Sequence, residues 1–226
     1  MKLGIFLIIY VVSEFYLYKQ KKNNKFQFRK LIIHSIIYLL FLSMLLIFKY
    51  EHLLLLIFII MCISHFLIHI LNHAIKGFIK NSTLSFIIEQ LLHIGIIIIS
   101  TLHINVNTNI FDNNIYIRVI LSILLLGIPG NVIFKKLFSQ FKPQDNDTFT
   151  TFKNAGATIG ILERTLIYIC IVNGLYTSIG LIFTAKSIAR YKRISDEPAF
   201  SEYYLIGTLS SLLYTIIIYF TIFKIL

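Results

Sequence analysis

The runs LLLLIFIIMCI at 53–63 and IGIIIIS at 94–100 leave this chain little choice of fold. Uninterrupted apolar stretches have no solvated face, so they must sit inside a large core or lie in lipid. Of 226 residues, 57% are hydrophobic and only 14% charged, too few polar groups to cover a soluble globule of this size. A mean hydropathy of +0.81 agrees. Lipid-facing helices remain; a soluble enzyme, a secreted disulfide scaffold and a disordered tail are excluded. Cys62 and Cys170 fall inside apolar runs with no CxxC or metal spacing and read as small buried hydrophobes.

Polar breaks separate eight apolar segments, roughly 3–18, 31–48, 53–75, 84–104, 115–134, 156–174, 175–191 and 201–223. A span takes about 20 residues, so the first and seventh are short. Lys2 ahead of LGIFLIIYVV looks like a signal peptide, but SEFYLYKQKK follows without a small-x-small cleavage site, which predicts an uncleaved first span. Gly174 and Gly180 interrupt the helical pattern at NGLYTSIG. There the sixth and seventh segments either meet as two spans at the outer face or form a re-entrant hairpin covered by protein. The expected fold is all-α, a polytopic bundle of about eight segments in one membrane domain. It would comprise a five-helix sub-bundle 1–138, a cytoplasmic linker 139–154 and a three-helix sub-bundle 155–226.

Orientation follows from the cations. Lys19, Lys21, Lys22, Lys25, Arg29 and Lys30 crowd the first loop, which should be cytoplasmic. Alternation then places Lys76, Lys80, Lys135, Lys136, Lys142, Lys153, Arg190, Lys192 and Arg193 inside as well, with both termini outside. The net charge of +11 is thereby assigned to topology and to anionic inner-leaflet headgroups, making membrane lipid the expected partner and nucleic acid not.

Ionisable side chains within spans are costly and mark function by default. His65, His69 and His73 recur every four residues along one face of the third segment, and Glu89, Gln90 and His93 share a face of the fourth. With Glu14 and His34, all lie within about 15 Å of the predicted cytoplasmic ends at about 1.5 Å per residue. Imidazoles and carboxylates at one level are the inventory of a divalent-metal site for Zn, Fe, Mn or Ni. His65, His69, His93 and Glu89 are the expected ligands, with Glu14 or Glu89 as general base and Gln90 or Ser64 as outer partners. Ion-pathway chemistry and plain structural hydrogen bonding stay open beside this. For the shallow His34 and His73 the interfacial reading is preferred.

A second set, also near the cytoplasmic level, holds Gly156, Gly160, Glu163 and Arg164 in NAGATIGILERT, then Lys186 with Arg190, then Glu202. Lys186 and Arg190 could hold a phosphate or headgroup. The preferred reading is charge pairing of Glu163 or Glu202 with Lys186 or Arg190, fixing how the last helices pack. Gly156 and Gly160 would let helices approach closely.

These residues resemble a family of bacterial integral membrane proteins known as domain of unknown function 3307. The resemblance runs over nearly the whole chain and is closest in GATIGILERTLIYICIVNGLYTSIGLIFTAKSIARYKRI and EYYLIGTLSSLLY. SEFYLY is similar to an acidic-Phe-x-Leu-Gln motif with Glu14 in the acidic place, and His34 matches the next family histidine. SHFLIHILN resembles His-x-x-x-Asp-x-x-Lys with His69 at the Asp and Asn72 at the Lys, and EQLLH resembles Asp-Gln-x-x-His. The resemblance implies a multi-pass protein of the bacterial plasma membrane and names no reaction. Three functions follow as expectations: a metal-dependent hydrolase or transferase acting at the inner leaflet on a lipid-linked or anionic amphiphile, an ion- or proton-coupled transporter, or a scaffold. The nearly pure Ile, Leu and Phe composition of the outer halves favours the first.

Single cysteines introduced at positions 24, 78, 146 and 196 should all label from the cytoplasmic side. A 135–154 loop that labels from outside would overturn the orientation.

Overall fold

A computed structural model describes residues 2–17, 28–43, 52–78, 82–102, 115–138, 141 and 155–225. They are helical almost throughout, and five helices, at 55–72, 82–102, 115–138, 155–172 and 198–224, are long and apolar enough to cross a membrane. Only 22–33% of the positions in those spans are buried, so most of each helix faces outward. Leu40, Leu91, Leu162 and Leu209 are exposed, while Ser13, His65, Glu89, Arg164 and Thr215 are buried. That inversion of the soluble pattern is what an apolar solvent requires. Hydroxyls inside the spans turn back on their own helix, as in Ser64 to the Met61 carbonyl (2.9 Å), Thr165 to Ile161 (2.9 Å) and Thr215 to Ser211 (2.9 Å).

The chain divides into two compact units, Met1–Leu121 and Ser122–Leu226. In the first, α1 (Lys2–Val11), α2 (Phe28–Ser43), α3 (His52–Phe78) and α4 (Ser82–Leu102) form a closed ring in which each packs against the next and α4 returns to α1. A π-helical turn, Val12–Leu17, continues α1. The ring's interior is layered. Phe6, Leu42, Phe58, Met61 and Ile97 make an apolar layer, with Phe6 edge-on to Phe58 at 5.9 Å. Tyr10, Tyr38, His65 and His93 come next along the same helices, and Glu14, His34, His69 and Glu89 follow. Asn72 and Ser85, hydrogen-bonded to each other, lie one turn further along α3 and α4.

Segment 115–138 is not one uninterrupted helix. It is α5 (Ile115–Leu126) and α6 (Ile128–Phe138), broken at Gly127 by GIPG. Pro129 has no N–H for the Leu125 carbonyl, and the Tyr214 hydroxyl donates to it instead at 2.8 Å. The buried Arg164 guanidinium donates to the carbonyls of Leu126 (2.7 Å) and Gly127 (3.2 Å) and to Asn131 Oδ1 (2.8 Å). It lies against two glycines: a Cβ on Gly130 would stand 3.0 Å from Arg164 Nε, and one on Gly160 would stand 3.2 Å from Nη1. Gly160 therefore makes room for an arginine, whereas Gly156 is exposed with open space around its α-carbon. Within the second unit this bonding fastens the end of α5 and α6 to the helices that carry Arg164 and Tyr214.

Those helices are α7 (Ala155–Val172) and α10 (Pro198–Phe220), the latter prolonged by a π-helical turn. Between them come α8 (Tyr176–Ile188) and the short α9 (Tyr191–Asp196). The turn from α7 to α8 runs through Gly174 at φ +70°, a conformation that costs glycine little. At about 1.5 Å per residue α8 is about 20 Å long, shorter than the bilayer's apolar core of about 30 Å.

Removing the guanidinium should loosen the second unit. Arg164→Met should lower stability by about 2–4 kcal/mol and Tyr214→Phe by about 1 kcal/mol, read as an earlier helix-loss midpoint in dodecyl sulfate titrations. An Arg164→Met midpoint equal to wild type would overturn the assignment.

Candidate metal centre

The helical period places Tyr10 and Glu14 on one face of the first segment and His34 and Tyr38 on one face of α2. His65 and His69 share a face of α3, and Glu89 and His93 a face of α4. Glu14 sits on the π-helical turn, a distortion frequent at functional sites. The ring brings these faces together. One donor atom each from Glu14, His34, His65 and His69 lies within 4.8 Å of the other three. Donors about 2.0–2.1 Å from a common ion span about 4 Å, so this set can hold a metal ion with small adjustments.

Contacts around the set sort the roles. Glu14 Oε2 approaches His34 Nε2 at 3.4 Å and His69 Nε2 at 3.5 Å. His69 Nδ1 donates to Glu89 Oε1 at 2.9 Å, and His93 Nδ1 donates to the Glu89 carbonyl at 2.8 Å. The rings of His65 and His69 stand 4.7 Å apart, and His93 is 4.7 Å from His65 and 5.2 Å from His69. Tyr38 stacks on His65 at 4.3 Å and Tyr10 on His93 at 5.2 Å, which fixes both ring planes. Both ring nitrogens of His65, Nε2 of His69 and of His93, and Glu14 Oε2 are buried without a hydrogen-bond partner among the described residues. An unsatisfied buried polar atom costs about 1–3 kcal/mol, so several meeting at one point require a further bonding partner.

The four residues whose donors converge differ from the set expected on sequence. His65 and His69 are common to both. Glu14, expected as a base, and His34, given to the interface, join them in place of Glu89 and His93. His34 is buried because the helix turns it inward, a fact its shallow depth concealed. Glu89 holds His69 from behind, the outer-carboxylate arrangement that fixes a ligand's tautomer. Neither expected outer partner is used that way: Ser64 bonds its own helix, and Gln90 Oε1 accepts from the Tyr10 hydroxyl at 2.8 Å. The side chain of His73 lies outside the described residues. Tyr10 and Tyr38 were missed, although each is four residues from a cluster member on the same helical face.

In the second unit the pairing is Glu163 with Lys186. Lys186 Nζ donates to both Glu163 oxygens at 2.7 and 2.6 Å and to Thr208 Oγ1 at 3.2 Å. Arg190 is exposed, its Cζ 6.0 Å from the centre of the Phe200 ring, and Glu202 is exposed on α10.

Compared with known proteins, residues 3–121 match a family model described as protein of unknown function (DUF3307). The match covers the first compact unit. It does not reach 156–194 or 202–214, where the resemblance in sequence looked closest. No curated protein and no solved structure matches the chain.

Glu163→Gln should destabilise the second unit by about 1–3 kcal/mol, because it leaves the half-buried Lys186 ammonium without its counter-charge. Glu163→Gln combined with Lys186→Met should recover most of that loss in the same dodecyl sulfate titration. A double variant no better than the single would show that the pair is not coupled.

Proposed function

The chain belongs to the DUF3307 family, and we propose that this member is a metal-dependent hydrolase or transferase of the bacterial plasma membrane. One observation carries the reading: Glu14, His34, His65 and His69, from three segments of the ring, converge in its interior, and atoms of Glu14, His65 and His69 have no hydrogen-bond partner there among the described residues. These four residues would hold one divalent ion, Zn, Fe, Mn or Ni, all of which suit a set of imidazoles and one carboxylate. Bound there, such an ion supplies Lewis acidity and a water that ionises near neutral pH.

The remaining residues have separate tasks. Glu89 orients His69. His93, whose Nδ1 proton is committed to the Glu89 carbonyl, keeps Nε2 as a buried acceptor beside His65 and is the general base. Tyr10 and Tyr38 hold the rings in plane.

The apolar layer of Phe6, Leu42, Phe58, Met61 and Ile97 supports an enzyme over a transporter. It closes the ring on one side of the cluster, and a solute pathway would need polar groups continuing through it. We further propose eight crossings, with α8 as a short one and both termini outside, which puts the cluster in the cytoplasmic half of the bilayer. The substrate is then a lipid-linked or anionic amphiphile that reaches the centre from the inner leaflet.

Elemental analysis of detergent-purified protein should find about one Zn, Fe, Mn or Ni per chain, lost on acidification as the imidazoles protonate. His65→Ala should remove it, and Glu89→Gln should weaken it about 10–100-fold. His93→Ala should leave it in place. A metal-free preparation that rebinds none of the four at neutral pH would sink the proposal.

A further inference from the structure

The second unit contains a cavity of about 560 Å³, within the range of small-molecule sites. It opens where α6 and α8 end and where α7 and α10 begin. Ends of apolar helices meet the headgroup layer of a bilayer, so the position already favours an amphiphilic occupant.

Its lining is graded. Lys135 and Arg190 stand exposed at the rim. Among the lining residues the one carboxylate is Glu163, and Lys186 already neutralises it, so the rim's positive charge is not answered within the cavity. Phe138 and Phe200 wall the space. Gly156 and Gly207 also line it, and a Cβ on either would meet no atom within 4 Å, so the absence of side chains there keeps the cavity open. Further along α10, Ser211 borders the cavity, only 5% exposed, and its hydroxyl has no hydrogen-bond partner among the described residues.

We infer that this cavity binds an anionic phospholipid. The headgroup phosphate meets Lys135 and Arg190 at the rim, and the acyl chain runs inward past the phenylalanines and over the two glycines. Cations at the rim and an aromatic-walled interior opened by two glycines match the charge and the chain of one lipid. No residue of the Glu/His cluster takes part, so the inference stands independently of the metal reading.

The test uses the full chain, stripped of lipid in a neutral detergent and titrated with phosphatidylglycerol or phosphatidylcholine of identical chains, with bound lipid counted by native mass spectrometry. Phosphatidylglycerol should bind one to a chain and about tenfold more tightly than phosphatidylcholine. Lys135→Gln with Arg190→Gln, both at exposed positions, should erase that preference. Gly207→Leu should fill the cavity and abolish binding of both lipids. Equal binding of the two lipids by wild type overturns the inference, as does full phosphatidylglycerol binding by the Lys135/Arg190 double variant. Displacement of the lipid by millimolar inorganic phosphate also overturns it, by assigning the rim to a free anion. Metal content measured on the same samples should not change, so failure here and failure of the metal centre are read separately.

Discussion

Every polar group placed inside this protein must find its partner within the protein, because the medium around the helices offers none. The structure meets that requirement in three ways. Hydroxyls bond their own helix, Arg164 and Tyr214 donate to carbonyls at the GIPG break, and Lys186 closes on Glu163. Among the described residues the exceptions concentrate in the interior of the first ring, where imidazole nitrogens and a carboxylate oxygen meet without a hydrogen-bond partner. That concentration at one point carries the functional argument.

Much of this was legible in the sequence because lipid imposes a simple rule on composition. Apolar runs gave the helices, and polar residues spaced by four gave the inward faces of α3 and α4. Depth correctly grouped Glu14 with the histidines, since helices crossing one slab share its coordinate. Depth alone could not say which way His34 points, because that depends on the rotation of α2 about its axis, and rotation is set by packing. Nor could it separate Glu89 as a partner of His69 from Glu89 as a ligand, a difference of one side-chain length. The break at GIPG was visible as letters, but its consequence was not. Arg164 reads in the sequence as one of a set of structural charges, and its partners include backbone carbonyls 37 and 38 residues away in sequence.

Position 69 bears on how this chain relates to its family. His69 and Asn72 stand where the resembling motif has Asp and Lys. In the structure residue 69 lies between Glu14 and Glu89, so an aspartate there would bring three carboxylates together, whereas histidine yields an imidazole-rich set. Asn72 bonds Ser85 across to α4. The two replacements thus remove an anion and a cation together and redistribute their partners, leaving no single charge stranded.

The broken span also bears on how the protein is made. Leu125 leaves the ribosome long before Tyr214, and its carbonyl cannot be served by Pro129, whereas the Gly127 carbonyl already meets the Asn131 N–H at 3.4 Å. Until the later segments arrive, a newly inserted 115–138 span presents bare backbone oxygen to lipid or to the insertion machinery. Biogenesis of the second unit therefore has a built-in order: the broken 115–138 segment is completed only by residues translated after it, and a chain truncated before Tyr214 would hold an unfinished helix.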